Sequence, residues 1–161
     1  MKVFNPTGWD VEAKAAGKKY IIPAFSDLEI YDVYHVQHII NSFENNGIVD
    51  LEYGSKAKED FPSFTEYKKS QEIKGLKNAL KYRRQILSYE KAAEAEVKAA
   101  GPKGILHQST LDVKSHEENV KFVEKWLKEA GGELKKVLQE KQIVKDRPKW
   151  ETSVEEESEE V

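Results

Sequence analysis

The stretch Thr65–Ala100, TEYKKSQEIKGLKNALKYRRQILSYEKAAEAEVKAA, decides the fold. It holds no proline, and Gly75 is its single weak helix former, so it predicts one helix about 54 Å long at about 1.5 Å per residue. Both ends are marked: Ser63 and Glu66 have the spacing of a capping box, and Gly101-Pro102 is a helix stop. Ile73, Leu76, Leu80 and Leu87 form an apolar stripe with Ala79 and Ile86 beside it, and the last turns are rich in alanine, which permits close helix packing. A chain of 161 residues cannot easily wrap both faces of such a rod, so one face is expected to meet something outside the polypeptide.

That face is chemically distinct. Lys74, Lys77, Lys81 and Arg84 recur at three- and four-residue spacing on one side of the helix, and no acidic residue occurs between Ile73 and Tyr89. With Arg83 the segment carries five positive charges, which suits phosphates or a carboxylate-rich neighbour and is also what a plain solvated face contains. Tyr82 and Tyr89 either pack on the following helices or offer rings for stacking.

Upstream, the pattern changes from helical to alternating. Val3-Phe4 is followed by turn-prone Asn5-Pro6-Thr7-Gly8; Trp9, Val11 and Ala13 then alternate with Asp10, Glu12 and Lys14. Ala16-Gly17 turns the chain into a strand over 19–22 that ends at Pro23, and Leu28 to Tyr31 supplies a further short run. Asp32 is placed to cap a helix from Val33 to about Asn45, with Gly47 as its left-handed stop, and Val49, Leu51 and Tyr53 predict a returning strand.

Downstream, a helix is expected from about Asp112 to Ala130, capped by Ser115 with Glu118 and presenting Val120, Phe122, Val123, Trp126 and Leu127. Gly131-Gly132 predicts a break before a last short helix over 133–144, and both helices should fold back on the long one. The fold class is therefore α+β: a β-rich docking module over 1–53, a linker over 54–63, a helical arm or bundle over 64–144, and an acidic, flexible tail over 145–161. Six glutamates and no base follow Trp150, which is a candidate anchor of that tail.

Composition narrows the function classes. Hydrophobic residues are 39% and charged residues 34%, a core-poor balance that suits extended helices. The net charge of −3 gives no overall pull toward nucleic acid or membrane, and no segment approaches a membrane span. Without cysteine there is no disulfide, thiolate nucleophile or cysteine-ligated metal. His35 and His38 lie three apart with Asp32 a turn earlier, a metal set lacking a convergent third ligand, while His107 and His116 stand alone in a loop and near a helix start. Neither a nucleophile elbow nor a phosphate loop occurs, so no enzyme, cofactor or metal is expected.

Val3-Phe4-Asn5-Pro6-Thr7, Gly17-Lys18-Lys19-Tyr20-Ile21-Ile22-Pro23 and the acidic step into Asp32 resemble the opening β unit of small accessory virion proteins of tailed bacteriophages, over about the first 50 residues. The resemblance implies a structural or connector role in the virion: the β module would dock on a capsid, portal, neck or tail protein, and the arm would bridge neighbours, including further copies of itself. It carries over no active-site residue. The contact stripe expected for this role is Lys74, Lys77, Lys81 and Arg84, with Trp150 anchoring the tail; a nucleic-acid-associated accessory protein using the same stripe is the alternative.

Overall fold

The computed structural model describes residues 1–100 and 106–146. Five short strands come first: β1 (Lys2–Phe4), β2 (Val11–Ala15), β3 (Lys18–Ile22), β4 (Asp27–Glu29) and, after helix α1 (Val33–Ser42), β5 (Val49–Asp50). β1 lies between β4 and β5, antiparallel to both, with Val3 opposite Leu28 on one side and Asp50 on the other. β2 and β3 form a separate hairpin closed by Ala16-Gly17, whose backbones are both left-handed (φ 50° and 80°), the geometry a two-residue hairpin turn demands. The alternation in β2 holds: Val11, Ala13 and Ala15 are buried while Glu12 and Lys14 face out. With Ile22, Ile30, Val36, Ile39 and Ile48 they make the module's core.

Where the module has no ladder, one amide replaces it. Asn5 is fully buried and fully used: its Nδ2 donates to the carbonyls of Trp9 (2.6 Å) and Ile22 (3.1 Å), and its Oδ1 accepts from the Thr7 amide (3.0 Å) and hydroxyl (2.6 Å). A buried amide with four partners fixes the loop, since each bond lost would strand a polar group.

α1 starts as its sequence directs, with Asp32 Oδ1 accepting from the Tyr34 and His35 amides. It ends in a 3-10 turn, Glu44–Asn46, and Gly47 takes the left-handed conformation at φ 90°. The stretch expected as a linker carries a short helix α2 (Ser55–Asp60) and an aromatic cluster in which Tyr53 and Phe61 pack around Tyr67.

Two long helices complete the chain, α3 (Phe64–Ala100) and α4 (Leu106–Asp146). Ser63 Oγ accepts from the Glu66 amide at the start of α3, as the capping spacing predicts. Leu76, Ala79 and Leu80 of α3 meet Val120, Val123 and Ala130 of α4 in a second core, with Trp9, Ile73, Leu87, Trp126 and Leu127 packed around it. Cations of α3 reach carboxylates of α4 along the seam, Lys69 to Glu133, Arg84 to Glu124 (3.2 Å) and Lys91 to Glu117 (3.6 Å), which fixes the helices antiparallel.

Two expectations change here. The helix does not break at Gly131-Gly132: α4 runs through to Asp146, because Ala130 on one side and Glu133 on the other are both held against α3. It also begins at Leu106, so Ser115 lies inside the helix and His107 in its first turn. The helix stop at Gly101-Pro102, Trp150 and the glutamates of the tail lie outside the described residues.

The module is not held at arm's length. Gly75 of α3 passes so close to Gly47 that a Cβ on it would sit 2.3 Å from the Gly47 carbonyl oxygen. Nearby, the Tyr67 hydroxyl donates to Asp50 Oδ1 (3.1 Å) and Gln71 Nε2 to the Asp50 carbonyl (3.1 Å). On the other side Trp9 and Phe25 meet Trp126 edge-on, at centroid distances of 4.8 and 5.4 Å. Phe25 holds this place with a left-handed backbone (φ 54°), an unfavourable conformation for a bulky residue.

Candidate functional site

The outward side of α3 is a continuous track. It begins at the helix start in a groove of about 240 Å³ between Phe61, Leu134 and Leu138, rimmed by Asp60, Glu66 and Ser70. Ser70 also borders the next depression, lined by Ile73, Lys74, Lys77 and Asn78. Lys77 is shared in turn with a shallow groove of about 680 Å³, where Lys81, Arg84 and Ser88 stand over a floor of Leu80 and Leu127. The repeat of three and four residues aligns these positions on one side of the helix, so the three depressions follow one another along its axis.

The cations of α3 divide by surroundings. Lys69 bonds to Glu72 (3.2 Å) and to Glu133; burial alone would lower its pKa, but the two carboxylates outweigh burial and hold the ammonium above its ordinary value. Lys68 lies over the Phe4 ring and Arg83 over the Trp9 ring, at 5.2 and 4.7 Å, so Arg83 faces the module and does not add to the outward stripe. Arg84, expected to stand without an acidic neighbour, pairs with Glu124 across the seam. Lys74, Lys77 and Lys81 are exposed and make no ion pair or ring contact among the described residues. Three ammonium groups on successive turns, with no local countercharge, concentrate an anion beside them.

Tyr67 and His35 are committed internally. Burial, then the Asp50 carboxylate beside it, pushes the Tyr67 phenol well above the ordinary tyrosine range. His35 shares a 2.7 Å hydrogen bond through Nδ1 with the Tyr20 hydroxyl, and its Nε2 is 3.5 Å from Asp32 Oδ2. His38 is exposed, and among the described residues no group of three or more His, Asp or Glu could hold a metal ion. Tyr89 is 74% exposed and Tyr82 half-buried, so only Tyr82 is partly covered. No helix among the described residues is long and apolar enough to cross a membrane.

Spacing alone brings out Lys74, Lys77, Lys81 and Arg84. It misses the apolar floor and the entry groove, whose Phe61, Leu80, Leu127, Leu134 and Leu138 come from three separate segments. Heptad-like leucines on the second helix were the available signal, and they read equally well as plain core. The chain matches no protein-family model, no curated protein and no solved structure.

Proposed function

We propose that this chain is a non-enzymatic structural or connector protein of a larger assembly, which engages an acidic neighbour along the outward face of α3. The observation that carries the reading is the contrast within one helix: Lys69, Arg84 and Lys91 are answered by carboxylates of α4, whereas Lys74, Lys77 and Lys81 are not answered among the described residues. Those three line grooves with an apolar floor, which lets an extended chain gain both burial and charge contacts. The resemblance of the first 50 residues adds the setting, a tailed-phage particle in which the neighbour is a shell, portal, neck or tail protein or another copy of this chain.

The test uses a fluorescent glutamate-rich peptide of about twelve residues, long enough to span the four cations. It is measured on the chain with Glu155, Glu156, Glu157, Glu159 and Glu160 changed to Gln, so that the chain's own acidic segment does not compete. Lys77→Glu with Lys81→Glu should weaken binding about tenfold or more, with an affinity that falls as salt rises. Equal binding by the parent and the double variant would remove the reading. Duplex DNA run in parallel, bound more tightly than the peptide and with the steeper salt slope, would instead favour the nucleic-acid alternative. Mass spectrometry of purified particles tests the setting: a chain missing from them is not a virion protein.

A further inference from the structure

We propose that the groove between α3 and α4 receives an acidic amphipathic helix of another protein, with its apolar stripe on Leu127, Leu134 and Leu138. Carboxylates on either side of that stripe meet two lysine rows, Lys74, Lys77 and Lys81 on α3 and Lys128 and Lys135 on α4. This rests on the reading of the α3 face as a receiver of an acidic neighbour and narrows it: an extended chain can answer the α3 row, whereas a second row across the groove asks for a helix.

The second row follows from one ion pair. Arg84, which lines the groove, bonds Glu124 (3.2 Å), so Glu124 marks the groove side of α4. Lys128 and Lys135 follow Glu124 by four and eleven residues, spacings that keep them on its side of the helix. Both are exposed, and neither makes an ion pair or ring contact among the described residues. Leu127 shares a depression with Lys77 and Lys81, and Leu134 shares one with Ser70. Lys128 therefore stands across from Lys77 and Lys81, and Lys135 across from Ser70 and Lys74. Carboxylates border only the ends of the groove, Glu124 with Arg84 at one and Asp60 and Glu66 at the other; among the described residues none lines the stretch between.

The floor is shaped for a helix. Leu127, Leu134 and Leu138 follow one another at seven and four residues, a stripe about 16 Å long, which matches about three turns of a partner. Leu138 is 50% exposed, so the stripe is open at that end. Gly131 falls within it, four residues after Leu127, and nothing lies within 4 Å of a Cβ placed there. That notch lets a partner's leucine lodge and the helix axes approach to about 8 Å. A helix seated there turns one flank to each rim, so carboxylates beside its apolar stripe reach both lysine rows. A strand sends every second side chain away from the floor and answers one row. A neutral or basic helix leaves five ammonium groups partly desolvated without countercharge, which selects against it. A second copy offers no described helix of the required kind: α1 has no Asp or Glu, and α3 and α4 mix both signs.

The probe is a fluorescent peptide of about fourteen residues, about four helical turns, with leucines three and four residues apart and glutamates on both flanks. A peptide of the same composition, scrambled to lose the stripe, is the comparison. Both are titrated into the full-length chain carrying the five glutamate-to-Gln changes named above. The amphipathic peptide should bind about tenfold more tightly than the scrambled one and gain helical far-ultraviolet dichroism on binding. Lys128→Glu with Lys135→Glu should weaken it about tenfold and leave the scrambled peptide unchanged. Gly131→Leu, which fills the notch without meeting a neighbour, should weaken it as much, while Gly132→Leu should not, in chains whose own dichroism matches the parent. Equal affinity for the two peptides, a bound peptide without helical signal, or full binding by the lysine or Gly131 variants overturns the proposal. Self-association that Gly131→Leu abolishes also overturns it, assigning the groove to a second copy. Each of these failures leaves the receiver reading intact, which falls only if Lys77→Glu with Lys81→Glu leaves binding of the glutamate-rich peptide unchanged.

Discussion

Gly75 in α3 and Gly131-Gly132 in α4 look alike in the sequence, each a helix-weakening interruption, yet they sit in opposite circumstances. At Gly75 a Cβ would lie 2.3 Å from the Gly47 carbonyl oxygen and 3.0 Å from the Pro6 ring, whereas nothing lies within 4 Å of a Cβ at Gly131 or Gly132. The first glycine is the condition on which the helix touches the β module. The pair in α4 carries no such duty, and the helix crosses it because its neighbours hold it in register against α3. Helix propensity costs about 1 kcal/mol at a glycine either way; packing decides whether that cost is repaid.

The contrast can be broken most sharply at Gly75. Gly75→Ala improves helix propensity by about 1 kcal/mol, but the new methyl meets backbone, so the net expectation is a loss of about 3 kcal/mol in urea unfolding. A stabilised variant would mean that the module can move off α3 freely. Changing both Gly131 and Gly132 to Ala should instead stabilise by about 1.5 kcal/mol, since the open, helical backbone there gains propensity and meets no neighbour. A loss of stability would show that the chain needs a bend at that point.

A third change sharpens the account of the docked side. Tyr67→Phe removes the bond to Asp50 and should cost about 1 kcal/mol at neutral pH. The folded-state pKa of Tyr67 is raised above its unfolded value of 10.0, so the stability held by the protonated phenol is complete below pH 10 and is lost as pH rises further. Lys69, also raised, acts in the same direction. Above pH 10 the parent should therefore lose stability faster than Tyr67→Phe, and parallel pH profiles would contradict the assignment of that bond.

Local signals were legible and nonlocal ones were not. Asp32, Gly47, Ser63 and the Ala16-Gly17 turn act on backbone within four residues of themselves, so their sequence context contains their cause. The alternation of β2 and the stripe of Leu76 and Leu80 follow from period alone. By contrast, the partner of Arg84 is 40 residues away, and nothing near Arg84 announces Glu124. The left-handed backbone of Phe25 was equally hidden, because its place is set by Trp126 and by the hydrogen bond from its amide to the Thr7 carbonyl. For the candidate site, spacing supplied the three lysines, while the groove beside them needed α4 in position.

The meeting of Trp9 with Trp126 has an optical consequence. Two indoles 4.8 Å apart, nearly perpendicular at 75°, belong one to the module and one to α4, so their mutual near-ultraviolet dichroism exists only while the two parts are joined. Far-ultraviolet dichroism reports the helices themselves. Because Gly75 and Trp126 fasten the module from both sides, the two signals should disappear together on heating, as in a protein that melts in a single step.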